Sequence, residues 1–224
     1  MRPIRVVVPF KLECAKSRLS SALSSPEREK LALAMLEDVV DAVSGVGEMS
    51  ILLKGALPEG DACDRLRSRG GIELLDCPSE LDPALNFFIA SMEEKGWPSD
   101  ILIAMADLPL MRPSDVDGLV RTPGEVVIVP GRGGGTNLIL IRDPRFRVSY
   151  YGLSFIKHVR KAEDLGLSAG VYESFRCGSD VDEPPDLVEV LIHGQGRTAE
   201  LLKSFGFAPS AKKEKTRSGW VRDR

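Results

Sequence analysis

The sequence predicts an α/β domain whose mixed, mainly parallel sheet is flanked by helices. Three features lead there. Short apolar runs such as IRVVVP (4–9), ILIAM (101–105) and VVIVP (126–130) read as strands buried on both faces. Between such runs, apolar residues recur at helical spacing, as at Leu31, Met35, Val39 and Val43. Strands that alternate with helices of this length form parallel βαβ units.

Taken in order, IRVVVP is the first strand and empties into a polar loop that runs to Ser25. Ser25 is expected to cap a helix with Pro26 at its first position. SILL (50–53) is a second strand, DACDRLRSR a short helix and GIELL (71–75) a third strand. Asp82 and Pro83 open a helix by the same logic, burying Leu85, Phe88, Ile89 and Met92. ILIAM leads to Asp107, and a short helix from Pro113 leads to VVIVP. LILIR (138–142) is a strand after a glycine-rich turn, YGLSFIKHVRKAEDLG is helical, and GVYES is a further strand. A helix from Pro184 to His193 stops at Gly194, and a last one spans about 197–205. With neither a repeat nor a linker, residues 1–208 read as one domain and 209–224 as a basic, flexible tail.

The chain has 224 residues, enough for a substantial core, with 43% hydrophobic and 28% charged residues. No stretch approaches 18 unbroken apolar residues, and the first strand begins at once without a leader pattern, so a cytoplasmic location is expected and no membrane is involved. Cys14, Cys63, Cys77 and Cys177 form no CxxC pair and read as reduced thiols. The last 14 residues carry six Lys or Arg against two acids, a surplus of four positive charges. That leaves the body at −7 within a total of −3, which argues against nucleic acid as the main partner. The basic end reads as frayed and solvated.

Ligands of such sheets sit beyond the carboxyl ends of the strands. There the loop after the first strand holds Lys11, Lys16 and Arg18 in eight residues, cations that suit a polyphosphate. ILIAMADLPLM places Asp107 at a strand end, with Pro109 to stiffen the turn. GRGGGTN (131–137) is neither a P-loop nor a dinucleotide fingerprint. It reads equally as an anion nest, with Thr136 adding a hydroxyl, and as a loose hairpin turn. In GSDVDEPPDL, Asp180 and Asp182 point the same way if extended, as hard oxygen ligands for Mg²⁺. Asp182 reads as well as a cap for the next helix. Gathered at one sheet edge, these parts are equipment for phosphoryl or nucleotidyl transfer. His193 reads as a helix-end residue. His158 reads as exposed on a polar helix face, within reach of an anionic substrate.

The ordered set VVPFK, AKSRLS, ALN, MADLPL, VPGRGGGTNLILI, YYGLSF and DVDEPPDLVEVLIHG resembles the archaeal 2-phospho-L-lactate guanylyltransferases of deazaflavin coenzyme biosynthesis, over residues 4–195. The resemblance implies a nucleotidyltransferase fold of the glycosyltransferase-A-like type. It implies transfer of GMP from GTP to the phosphate of a three-carbon acid (2-phospho-L-lactate, phosphoenolpyruvate or phosphoglycerate), with release of pyrophosphate. It further implies metal-binding carboxylates at Asp107 and at Asp180 or Asp182. Lys16 and Arg18 would hold the triphosphate, with Pro9 and Lys11 also on the nucleotide side. Thr136, Gly152 and Ser154 would bind the phospho-acid, and Asn86 is a candidate for the guanine edge. The catalytic set is then Asp107, Asp182, Lys16 and Arg18, and the assembly a homodimer. The alternatives are a transferase of the same fold acting on molybdopterin or a sugar phosphate, and a nucleotide-binding module without catalysis.

Overall fold

The computed structural model describes residues 2–13, 15–210 and 220–222. Its main sheet joins β1 (Ile4–Lys11), β2 (Glu48–Lys54), β3 (Ile72–Asp76), β4 (Asp100–Ala104), β5 (Val126–Pro130), β6 (Thr136–Ile141) and β7 (Ala169–Val171) in the order 3-2-1-4-6-5-7. Only β6 runs against its neighbours. Its reversal matters: its first residue, Thr136, lies at the same sheet edge as the carboxyl ends of β4 and β5.

Alternation along each strand divides the core. Val6, Val8, Leu102, Ala104, Val127 and Leu140 face one layer, while Val7, Ile101, Ile103, Ile128, Ile139 and Ile141 face the other. The first layer is covered by α1 (Ser25–Val43), α2 (Asp61–Ser68) and α4 (Pro113–Arg121). The second is covered by α3 (Leu81–Glu94) and α5 (Ser154–Asp164). The result is the single α/β domain expected. A satellite cluster joins Leu19, Leu23, Leu31 and Met35 to α6 (Leu187–His193) and α7 (Arg197–Ser204). No helix among the described residues is long and apolar enough to cross a membrane. Cys63, Cys77 and Cys177 are free thiols.

Several local expectations are corrected. Ser24, not Ser25, caps α1, because Glu27 accepts from both the Ser24 N–H and its hydroxyl at 2.8 Å. Helix α3 starts at Leu81, so Asp82 lies inside its first turn and accepts instead from the Tyr150 N–H at 2.8 Å. His158 is not exposed but fully buried, since that face of α5 turns inward. His193 does stand at the end of α6, 3.6 Å from Glu189.

Part of the basic end is folded. β9 (Trp220–Arg222) pairs antiparallel with β8 (Phe207–Pro209). The Trp220 ring stands edge-on to Phe207, and its Nε1 donates to Pro184 O at 2.7 Å. Arg222 donates to Ala22 O and Phe205 O, each at 3.0 Å, and pairs with Glu27. For 220–222 the frayed reading is therefore wrong. The rest of that segment, 211–219 with 223 and 224, lies outside the described residues.

Candidate active site

The carboxyl ends of β1, β2 and β4 open on a cavity of about 460 Å³, within the size range of small-molecule sites. Pro9, Lys11, Lys16, Arg18, Asp107 and Asp182 all line it. Lys16 holds a left-handed backbone (φ 52°, ψ 43°), which costs a non-glycine residue roughly 1 kcal/mol. The turn is fixed on both sides, by Ala15 N–H to Leu12 O and by Leu19 N–H to Lys16 O, each at 2.9 Å. It sends the Lys16 ammonium inward, 2.7 Å from Asp107 Oδ2 and 2.7 Å from Asp182 Oδ1. Arg18 stands further out, 3.6 Å from Asp182.

Asp107 is aimed by its surroundings. Leu108 is fully buried, and Met111 N–H closes a β-turn on Leu108 O at 3.0 Å with Pro109 at its second position. The Val181 N–H donates to Asp107 O at 3.1 Å, which lays the DVD segment beside the strand end. Asp182 is not the cap of the following helix. Glu183 is the N-cap of the 3-10 turn that follows (Pro184–Asp186), and Asp186 closes its capping box, accepting from the Asp182 and Glu183 N–H groups at 2.9 and 2.7 Å, so the Asp182 carboxylate is left for the cations. Asp180 accepts from Asn137 at 3.1 Å, and the same Asn137 amide donates to Cys177 O at 2.8 Å.

Two carboxylates therefore hold one ammonium, with Asp180 close enough to act on Asp107. Burial pushes the Asp107 carboxyl above the usual carboxylate range, and Asp182 and Asp180 push the same way against Lys16. Burial would lower the Lys16 pKa, but Asp107 and Asp182 outweigh it and hold the ammonium charged. The surplus of negative charge favours a cation. For Mg²⁺ the donor set fits: two carboxylate oxygens converge on one point, which a positive group already fills. Among the described residues no group of three or more His, Cys, Asp or Glu is placed to hold a metal ion by itself. An open pair of carboxylates suits an ion that takes its other ligands from water and phosphates.

A second cluster lies beside the first across β4 and β6. The GRGGG turn is a hairpin braced through three of its backbone N–H groups. The N–H groups of Gly131, Arg132 and Gly134 are spent on Gly135 O, Gly178 O and Gly131 O. What the hairpin delivers is the buried Thr136 side chain, whose Oγ1 lies 2.9 Å from His158 Nδ1. Gly152 has φ 71°, open to glycine at no steric cost, and leads into Ser154, whose side chain is buried. The backbone amides at the start of α5 are partly engaged, Ser154 N–H with Gly152 O and Phe155 N–H with Gly134 O. Asn86 stands apart from the cavity. Its Nδ2 donates to Val148 O at 3.0 Å and its Oδ1 accepts from Val148 N–H at 2.8 Å, so it anchors a loop. The sequence reading missed Asp82, Asn137, His158 and Asp186 as site supports. Each acts through a partner that only the fold brings near.

A basic loop and paired carboxylates at the carboxyl edge of this sheet define a nucleotidyltransferase. The crystal structure of a protein from Desulfovibrio desulfuricans G20 superposes with a TM-score of 0.69 at 14% identity, covering 91% of this chain and 95% of that one. A nucleotidyl transferase from Methanothermobacter thermautotroptrophicus gives 0.56 at 18% identity, covering 90% and 99%. At such identities the likeness is one of fold. The chain belongs to the family described as Guanylyl transferase CofC like, which it matches over residues 4–222. It is similar to a 2-phospho-L-lactate guanylyltransferase from Methanothrix thermoacetophila, with 51% identity over 206 residues, 92% of this chain and 91% of that relative.

Proposed function

We propose that this chain transfers GMP from GTP to the phosphate of a phosphorylated three-carbon acid, 2-phospho-L-lactate or a close analogue such as phosphoenolpyruvate, as a step of deazaflavin coenzyme synthesis. The observation that carries this reading is the convergence of Asp107 and Asp182 on the Lys16 ammonium at the wall of the cavity. The family and the relatives' name supply the chemistry to test. A phosphate oxygen of the acid attacks the α-phosphorus of GTP, the bond to the β-phosphate oxygen breaks, and pyrophosphate leaves. Lys11, Lys16 and Arg18 position the triphosphate, with Pro9 beside it. Asp107 with Asp182, and Asp180 behind them, would hold Mg²⁺, which when bound neutralises charge on the phosphates. Thr136, Gly152 and Ser154 receive the acid across the β4–β6 edge.

The test is pyrophosphate release with Mg²⁺, each of the four nucleoside triphosphates, and phospholactate, phosphoenolpyruvate or 3-phosphoglycerate. Release with GTP and one acid is expected. Silence in every pairing, from folded protein, would reject the reading in favour of a sugar-phosphate transferase or a non-catalytic binder.

We infer further that the chain works as a homodimer in the reducing cytoplasm, where its free thiols are stable. Tyr151 (84% exposed) and Leu153 (56%) stand out beside the acid site, with Ile156 following. Apolar side chains this open, so close together, mark an interaction surface. Sedimentation equilibrium should give twice the chain mass, and a monomer at working concentration would exclude the dimer.

A further inference from the structure

The structure assigns His158 as the positioning residue of the acid site: its two ring nitrogens hold the Ser149 backbone and turn the Thr136 hydroxyl into a donor for an anionic oxygen of the acid. The inference rests on the proposed contact between Thr136 and the acid.

The proton positions follow from one observation. The Ser149 backbone N–H lies 2.8 Å from His158 Nε2. A backbone N–H can only donate, so Nε2 must carry its lone pair. Burial holds the ring pKa down to about 4, with Lys161 and Lys157 acting the same way, so the imidazole is neutral near physiological pH. Its single proton is then on Nδ1, which faces Thr136 Oγ1 at 2.9 Å. Thr136 accepts that proton, and its own O–H is left to donate elsewhere. An anionic oxygen is a strong acceptor for such a donor.

The ring is itself locked. Tyr150 packs edge-on at 5.2 Å between centroids, and Phe146 lies at 6.0 Å. Three consecutive backbone N–H groups, of Val148, Ser149 and Tyr150, donate at 2.8 Å each to Asn86, His158 and Asp82. Side chains from two helices thus hold a strap that runs straight into Gly152 and Ser154. His158 is the one that also reaches Thr136, so a single ring sets both halves of the acid site.

The chain has two histidines, so ¹⁵N-histidine labelling of the wild-type protein yields two ring systems, and His193→Asn assigns them. Two-bond ¹H–¹⁵N correlation near neutral pH should show His158 with the proton on Nδ1 and a bare Nε2, the minority form of free imidazole. A proton on Nε2, or an averaged ring, would overturn the assignment.

Kinetics test its use. A glutamine amide reaches the Nε2 position, so His158→Gln keeps the Ser149 contact and loses the Thr136 donor. It should raise KM for the acid by roughly 10- to 100-fold and leave KM for GTP and kcat nearly unchanged. An asparagine amide reaches the Nδ1 position, so His158→Asn keeps the Thr136 donor; the strap loses the Ser149 contact but stays held by Asn86 and Asp82, and the acid KM should rise less than in His158→Gln. Equal damage by both variants, or a joint change in kcat and both KM values, would make His158 merely structural. If Thr136→Val leaves the acid KM unchanged, the Thr136 contact is wrong, and the wild-type tautomer stands as a separate result. If Thr136→Val raises it and His158→Gln does not, the relay is wrong.

Discussion

Asparagine at position 107 is expected to lower turnover by about a thousandfold or more while the protein remains folded. The substitution keeps the shape of the side chain and removes one charge from the group of three carboxylates. Its backbone oxygen still receives the Val181 N–H, and the Leu108–Met111 turn is untouched, so the DVD segment stays in place. Burial already pushes the Asp107 carboxyl toward its neutral form. For an acid whose folded pKa is raised, the stabilising contribution is present at low pH and lost as pH rises through that pKa. At neutral pH the ionised Asp107 therefore costs stability, and a neutral amide should be tolerated. Pyrophosphate release and thermal melting on the same preparation check both halves. Near-normal turnover with Mg²⁺ would remove Asp107 from the chemistry.

Methionine at position 16 should produce a different pattern. The Lys16 ammonium screens Asp107 from Asp182, and without it the two carboxylates repel. Breaking a buried pair costs about 3–5 kcal/mol. Asp182 is 41% exposed, so solvent screening reduces the loss here to about 1–3 kcal/mol. The melting temperature of Lys16→Met should fall in metal-free buffer and recover when Mg²⁺ is added, because the ion takes the position the ammonium left. Wild-type protein without nucleotide should respond far less. Turnover should drop by about a hundredfold or more, since the triphosphate loses its innermost cation. Equal Mg²⁺ responses from the two proteins would show that the ammonium and the metal do not compete.

The strands and the buried faces of α1 and α3 were legible in the sequence because they are written locally. VVIVP occupies residues 126–130, as read, and Leu85, Phe88, Ile89 and Met92 all face the core. The cap at Ser24 was legible too, since Glu27 stands three residues on, but Pro26 drew the boundary one residue late. Asp107, Lys16 and Asp182 could be nominated because charge at a strand end is conspicuous. Their meeting could not be read, because it depends on a left-handed Lys16 and on a Glu183–Asp186 capping box that leaves Asp182 free of the cap. The burial of His158 and the loop-anchoring role of Asn86 went unseen for one reason. Their partners, Thr136, Ser149 and Val148, are supplied by other segments, and a polar helix face looks solvated until something covers it. Trp220–Arg222 was hidden by the basic composition around it.

The reach of Arg222 has a consequence for how the molecule comes into being. Its guanidinium fastens Ala22 and Glu27, the rear footing of the loop that carries Lys16 and Arg18. Arg222 follows Ala22 by 200 positions. A ribosome would finish the sheet and nearly every helix before that footing could close. The nascent chain would hold its strands, its carboxylates and the Lys16 turn in order while the rear footing still lacked the Ala22 and Glu27 contacts, so the back of the cationic loop would be fastened only after the sheet that it serves.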